Sequence, residues 1–102
     1  MDSVLMQKLK TLKADFAKDG FVIEAVFGSY ARGEETSKSD VDLLYHLDEE
    51  FIHKYSGFQG FKRLDEIKQQ LSKELQKSVD LAPKSILKRK SAHSILKELL
   101  YV

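Results

Sequence analysis

Val4, Leu5, Leu9, Leu12 and Phe16 recur at helical spacing, so the chain is expected to open with a helix over about 3–18 that ends at Asp19-Gly20. A short apolar, β-branched run bounded by glycines follows and predicts a buried strand over 21–27. Gly28 then leads into a short helix that begins at Ser29 and reaches about Glu34, and 35–39 read as a polar loop. From 41 to 47 the pattern alternates, with Val41, Leu43, Tyr45 and Leu47 on one face. Asp40, Asp42, Leu44 and His46 take the other, which is the signature of a half-buried second strand.

Residues 48–60 scatter Phe51, Tyr55 and Phe58 among Gly57 and Gly60 with no sustained period, and no element is predicted there. Helical spacing returns from Phe61, with Leu64, Ile67, Leu71 and Leu75 on one stripe. A third short strand is expected over 78–82, where Val79 and Leu81 oppose Asp80 and Pro83 stops the run. Ala92, Ile95, Leu96, Leu99 and Leu100 then predict a tail helix from about Ser91. Helices alternate with strands, so the fold class is mixed α/β (α+β): a small sheet packed against about four helices.

The length of 102 residues accommodates one domain spanning 1–102 and leaves no room for a second lobe. The absence of cysteine excludes a disulfide scaffold, a thiol nucleophile and thiolate-held metal. No apolar run approaches the roughly 20 residues of a bilayer span, and the first residues lack the apolar core of a signal peptide. A cytoplasmic location away from the membrane is therefore expected. The formal net charge of +1 hides an uneven distribution. Residues 21–50 set eight acids against Arg32 and Lys38, whereas 51–102 set eleven bases against five acids. An acidic middle suits metal ions and a basic second half suits phosphate or an acidic partner, although mixed charge on solvated faces explains the same numbers.

What separates the two explanations is spacing. Two carboxylates two apart on a strand project from one face and repel each other, and the usual use for such a pair is a divalent cation. Asp80, on the polar side of the third strand, supplies a third carboxylate if the strands are neighbours. Three acids around two metal ions suit in-line phosphoryl or nucleotidyl transfer. Gly28-Ser29 suits the other half of that chemistry, the holding of phosphate. Glycine allows close backbone approach to a phosphate, and Ser29 adds a hydroxyl, while also serving as a possible helix cap. Arg32 or Lys38 can neutralise phosphate or pair instead with Glu34 or Glu35. The stretch is not a P-loop, because Glu34-Glu35 stand where Lys and Ser/Thr would be needed after Gly28 and Gly33.

Gly28-Ser29, ten intervening residues and Asp40-Val41-Asp42 resemble the GS-x10-D-x-D signature of the DNA polymerase β-like nucleotidyltransferase superfamily. Four fixed positions match by chance about once in 10⁵ start sites. The fuller string GSYARGEETSKSDVDLL resembles the minimal nucleotidyltransferases, short antitoxins often encoded beside a HEPN-domain toxin. Ser78-Val79-Asp80-Leu81 is similar to the strand that carries that family's third acid. The resemblance implies a nucleotidyltransferase-like fold in which Asp40, Asp42 and Asp80 bind two Mg2+ ions and Asp80 orients or deprotonates the acceptor hydroxyl. It implies that Gly28, Ser29, Arg32 and Ser39 hold the phosphates of ATP or another nucleoside triphosphate. The implied reaction moves a nucleoside monophosphate, usually AMP, to a tyrosine hydroxyl of the HEPN partner and silences that partner's RNase activity.

Shortness fits this picture, because a partner protein or a second copy, in a hetero- or homo-oligomer, would have to present the acceptor. Taken alone, Asp40 and Asp42 read as a solvated strand face, and it is Gly28-Ser29 at the matching distance that makes them a metal site. Asp80 alone is an ordinary outward acid. His46 shares the aspartates' face but is read as packing, and the cluster Lys84, Lys88, Arg89 and Lys90 as a basic turn or a contact for nucleotide or partner. Tyr30 is expected on a helix surface and Tyr45 in the core. The alternative function is a non-catalytic antitoxin or regulatory module that occludes its partner. A decayed site would shed its mutually repelling acids first, and this chain keeps all three. Transfer to RNA or a small molecule is a third possibility, but direct nucleic-acid binding is not expected.

Overall fold

A computed structural model describes residues 1–89 and 93–102, so Ser91 and Ala92 of the expected tail helix and Lys90 of the basic cluster lie outside the described residues. The chain opens with α1 (Ser3–Ala17), started by Asp2, whose carboxylate accepts from Val4 N–H at 2.8 Å. Strands β1 (Phe21–Phe27) and β2 (Val41–Leu47) take the bounds their sequence pattern predicts. Between them α2 (Ser29–Arg32) is a single turn, shorter than expected because Gly33 turns left-handed and closes it. Then follow α3 (Glu49–Lys54), α4 (Phe58–Leu75), β3 (Val79–Pro83), a 3-10 turn (Lys84–Lys88), α5 (His93–Lys97) and β4 (Leu100–Tyr101).

The strands form one mixed sheet in the order β3-β2-β1-β4. Strands β1 and β2 are antiparallel, β2 and β3 parallel, and β4 runs antiparallel along the outer edge of β1. Parallel pairing of β2 with β3 requires a crossover, which α3 and α4 supply. Helices α1 and α4 cover one face of the sheet. Leu5, Leu9, Leu12 and Phe16 of α1 meet Ile67, Leu71 and Leu75 of α4 over Phe21, Ile23, Val26, Val41, Leu43 and Val79. Phe21 stacks on Tyr45 across the β1–β2 pair with ring centres 4.9 Å apart, and Phe16 meets its edge at 6.1 Å.

Three expectations are corrected. The segment 48–60 is largely helical, because Asp48 Oδ1 caps α3 by accepting from Glu50 N–H at 3.0 Å and Phe51 N–H at 3.3 Å, which lets Phe51 enter the core. The next helix starts at Phe58, earlier than the apolar stripe indicates, after Gly57 turns with φ of 61°. The tail is the second correction. Leu99 and Leu100 do not continue a helix: α5 ends at Lys97 and the chain extends to pair with β1. The free edge of β1 decides this, since Val102 N–H donates to Glu24 O at 3.1 Å and Lys13 Nζ to Val102 O at 2.7 Å. Tyr30 is the third: it is buried rather than on a helix surface, with Lys77 Nζ 5.8 Å from its ring centre, and Tyr45 is buried as expected.

Strands β3 and β4 stand on opposite edges, so the segment after β3 must return across the sheet. Its 3-10 turn packs on β2 and α5 packs on that turn. Ala25 and Leu44, opposed across the β1–β2 pair and buried, lie outside the core cluster and face the side that this return segment crosses. Asp42 shares that side. No helix among the described residues is long and apolar enough to cross a membrane.

Candidate active site at the end of the central strands

The candidate residues collect where β1 ends and β2 and β3 begin. Gly28 has φ of 76° and ψ of −153°, a conformation essentially confined to glycine, and so turns the chain sharply from β1 into α2. A β-carbon there would also collide with Asp42 Oδ2. The turn and the carboxylate are thus in direct contact, through the one residue that permits it. Asp42 sits opposite Phe27 of β1 and opposite Asp80 of β3, so the parallel register sets two carboxylates side by side. Asp40 stands exposed just before β2. Its strand begins under firm control, because Val41 N–H donates to Ser78 O at 2.8 Å.

Electrostatics show that these groups form one neighbourhood. Burial first, and then the charges of Asp80, Asp40 and Glu98, push the Asp42 carboxyl above its usual range, with Arg32 acting in the opposite direction. Asp80 is exposed, and Lys68 Nζ of α4 lies 3.7 Å from its Oδ1. Among the described residues no three metal-ligating side chains form a ready-made cage. The donor set nonetheless fits a hard divalent cation, which uses one or two carboxylates together with water and substrate phosphate, and whose charge would relieve the repulsion on Asp42.

The four residues assigned to phosphate divide. Gly28 lies against Asp42 and Ser29 follows it as the first residue of α2, whereas the Ser39 hydroxyl accepts from Thr36 N–H at 2.8 Å and closes the 36–39 loop. Arg32 is held by two carboxylates: Glu34 Oε2 at 3.1 Å from Nε and Glu98 Oε2 at 2.8 Å from its terminal nitrogen. Glu98 also accepts from Gly28 N–H through Oε1 at 3.1 Å. Sequence reasoning placed no role on Glu98. It lies 70 positions from Gly28, and only the pairing of β4 on β1 brings it there, so no local signal marks it. His46 is partly exposed and lies against Glu24 on the neighbouring strand.

Comparison with known proteins now decides the family. The model of the nucleotidyltransferase domain matches residues 5–102. The chain belongs to that family. It is 34% identical to the protein adenylyltransferase MntA of Thermococcus cleftensis over 102 residues, all of this chain and 92% of the relative. A protein of Methanocaldococcus jannaschii, provisionally named a protein adenylyltransferase, is 38% identical over 88 residues, covering 83% of this chain and 82% of its own. A solved structure provisionally described as a minimal nucleotidyltransferase superposes with a TM-score of 0.72 at 28% identity, over 100% of this chain and 97% of the other. A chain from a toxin–antitoxin crystal structure with AMP-PNP shares the fold, with a TM-score of 0.60 at 19% identity, over 93% of this chain and 69% of the other. The chain is therefore a nucleotidyltransferase with the minimal nucleotidyltransferase fold.

Proposed function

We propose that this nucleotidyltransferase is a Mg2+-dependent protein adenylyltransferase that moves AMP from ATP to a tyrosine hydroxyl of a HEPN-domain toxin, and so serves as the antitoxin of the pair. The observation that carries the reading is the register of Asp42 against Asp80, with Asp40 two residues away and the Gly28-Ser29 turn in contact with Asp42. Relatives named for protein adenylylation and a toxin–antitoxin structural neighbour support the substrate and the partner.

In this mechanism Gly28 and Ser29 hold the phosphates against the Asp42 edge, with the triphosphate aligned so that pyrophosphate can depart. The acceptor oxygen attacks the α-phosphorus while the bond from that phosphorus to the bridging oxygen breaks, and pyrophosphate leaves with the electron pair. Asp80, the most exposed of the paired carboxylates, accepts the hydroxyl proton. Two Mg2+ ions, held by Asp40, Asp42 and Asp80, would neutralise phosphate charge and stabilise the attacking and leaving oxygens. Burial of Asp42 and its like-charged neighbours make this edge favourable for a cation.

The test mixes the protein with ATP, Mg2+ and the protein that co-purifies with it, and looks for an adenylyl group on a tyrosine by mass spectrometry. Transfer is expected, and Asp42→Asn should lower it by at least about a hundredfold while preserving the fold, since it removes a charge at nearly constant shape. Absence of transfer with any of the four nucleoside triphosphates overturns the reading. Full protection of cells by Asp40→Asn and Asp42→Asn variants at normal expression would instead establish neutralisation by occlusion.

A further inference from the structure

The carboxylate of Glu98 occupies the two donors that the phosphate reading needs. Its Oε1 takes Gly28 N–H at 3.1 Å and its Oε2 takes the Arg32 guanidinium at 2.8 Å, so one anionic group spans the turn and the cation. That is the contact pattern of a phosphate with two of its oxygens engaged. The side chain is only 18% exposed, and its charge adds to those already acting on Asp42. The element that delivers it is slight. Residue 98 lies between α5, five residues long, and β4, which contributes two residues to the sheet edge. Such a segment can shift at small cost compared with any of the central strands.

The geometry points to Glu98 as a built-in stand-in for phosphate, which holds Gly28 and Arg32 before substrate binds and must leave when the triphosphate arrives. This rests on the phosphate-binding role proposed above for the Gly28-Ser29 turn, extended here to Arg32 at the end of the same turn. The acid has three consequences. It keeps Arg32 charge-paired and ordered ahead of binding. It prevents smaller or less charged anions from settling on the turn, because they must displace a carboxylate already satisfied at both oxygens. It also weakens the apparent affinity for nucleotide by the fraction of molecules in which the site is open. Among the described residues Glu34, the other partner of Arg32, accepts no hydrogen bond from Gly28, and it is 66% exposed, so it does not span the turn and the cation as Glu98 does.

The experiment titrates ATP with Mg2+, and separately inorganic tripolyphosphate, into wild-type protein, Glu98→Gln, Glu98→Ala and Glu34→Gln. Calorimetry reads affinity, and NMR follows the Gly28 amide and the Glu98 side-chain carboxyl carbon. Both Glu98 variants should bind either ligand about tenfold more tightly, since they leave the site open in most molecules. Glu34→Gln should stay within about twofold of wild type. In the wild-type protein, with no variant needed, the Gly28 and Glu98 resonances should move together along the titration. Unchanged or weaker affinity in the Glu98 variants, with ATP still bound and Gly28 perturbed, overturns this inference alone: Glu98 is then a brace for Arg32. Binding of ATP that leaves Gly28 and Glu98 undisturbed also overturns it. Failure of every protein to bind either ligand overturns the phosphate-binding reading and this inference together.

Discussion

At the scale of single residues, the site depends on one atom that is missing. Gly28 adopts φ of 76° and ψ of −153°, and a side chain there would meet the Asp42 carboxylate rather than solvent. Gly28→Ala therefore carries two separable penalties. The backbone strain costs about 1–3 kcal/mol of stability, measurable as a fall in the urea midpoint at constant slope. The displaced Asp42 lowers transfer further, so activity measured well below the unfolding transition should fall by more than the loss of folded protein explains. Wild-type specific activity in the folded fraction would remove Asp42 from the mechanism's contact with the turn. Gly28, Ser29, Asp40 and Asp42 could be named as candidates from spacing, because a strand's alternation and a glycine turn are local properties, whereas Asp80 joined them only on the condition that β3 neighbours β2. Glu98 could not, because its place depends on the sheet edge it joins. Nor could the engagement of Ser39 with Thr36, which is a matter of rotamer within a loop.

At the scale of elements, the same division holds. Strand β1 was legible to the residue because an apolar run fills the space between Gly20 and Gly28, and β2 because its apolar and polar positions alternate. Helix α3 was not, since six residues cannot sustain a period and its cap, Asp48, is one polar residue among several. Strand β4 is two residues whose conformation is set by β1. Besides the core contacts of Phe51, Ile67, Leu71 and Leu75, α3 and α4 are tied to the turn after α1 by Asp19. Its carboxylate accepts from Tyr55 OH at 2.9 Å and from Arg63 Nε at 2.9 Å, and Lys54 Nζ lies at 3.5 Å. Burial alone would raise the Asp19 pKa, but the Arg63 and Tyr55 hydrogen bonds and the Arg63 charge outweigh it and hold it below the usual carboxylate range. The ionised form is thus favoured by folding, so the clamp's contribution is complete above the unfolded-state value of about 3.9. It declines as pH falls through the lower folded-state value. Asp19→Asn should cost about 1–2 kcal/mol at pH 7, by denaturant unfolding. The difference from wild type should stay flat down to about pH 5 and shrink below pH 4. A difference that grows on acidification would show that Asp19 is not held in its charged form.

At the scale of the whole molecule, stability and function are set against each other across the sheet. One face is committed to the α1–α4 core, while the other gathers Asp42, Asp80 and the approach of Glu98 at one end. Folding brings like charges together there and partly desolvates one of them, which is unfavourable until a cation and a polyphosphate arrive. Ligand that binds only the folded state stabilises it in proportion to the logarithm of its concentration over Kd. ATP and Mg2+ together should therefore raise Tm more than the sum of their separate effects, and EDTA should abolish that excess. Asp42→Asn separates the two sides of the balance. It removes the least comfortable charge of the ligand-free protein, so its Tm without ligand should rise by roughly 2–5 °C. The same substitution removes a cation ligand, so the additional rise with ATP and Mg2+ should disappear. A variant that is destabilised without ligand would mean that Asp42 is held by favourable contacts rather than by the requirements of the site. One that keeps the full ligand-induced rise would place the cation elsewhere. Scanning calorimetry of wild type and variant, each with no ligand, with Mg2+, with ATP and with both, decides between these outcomes.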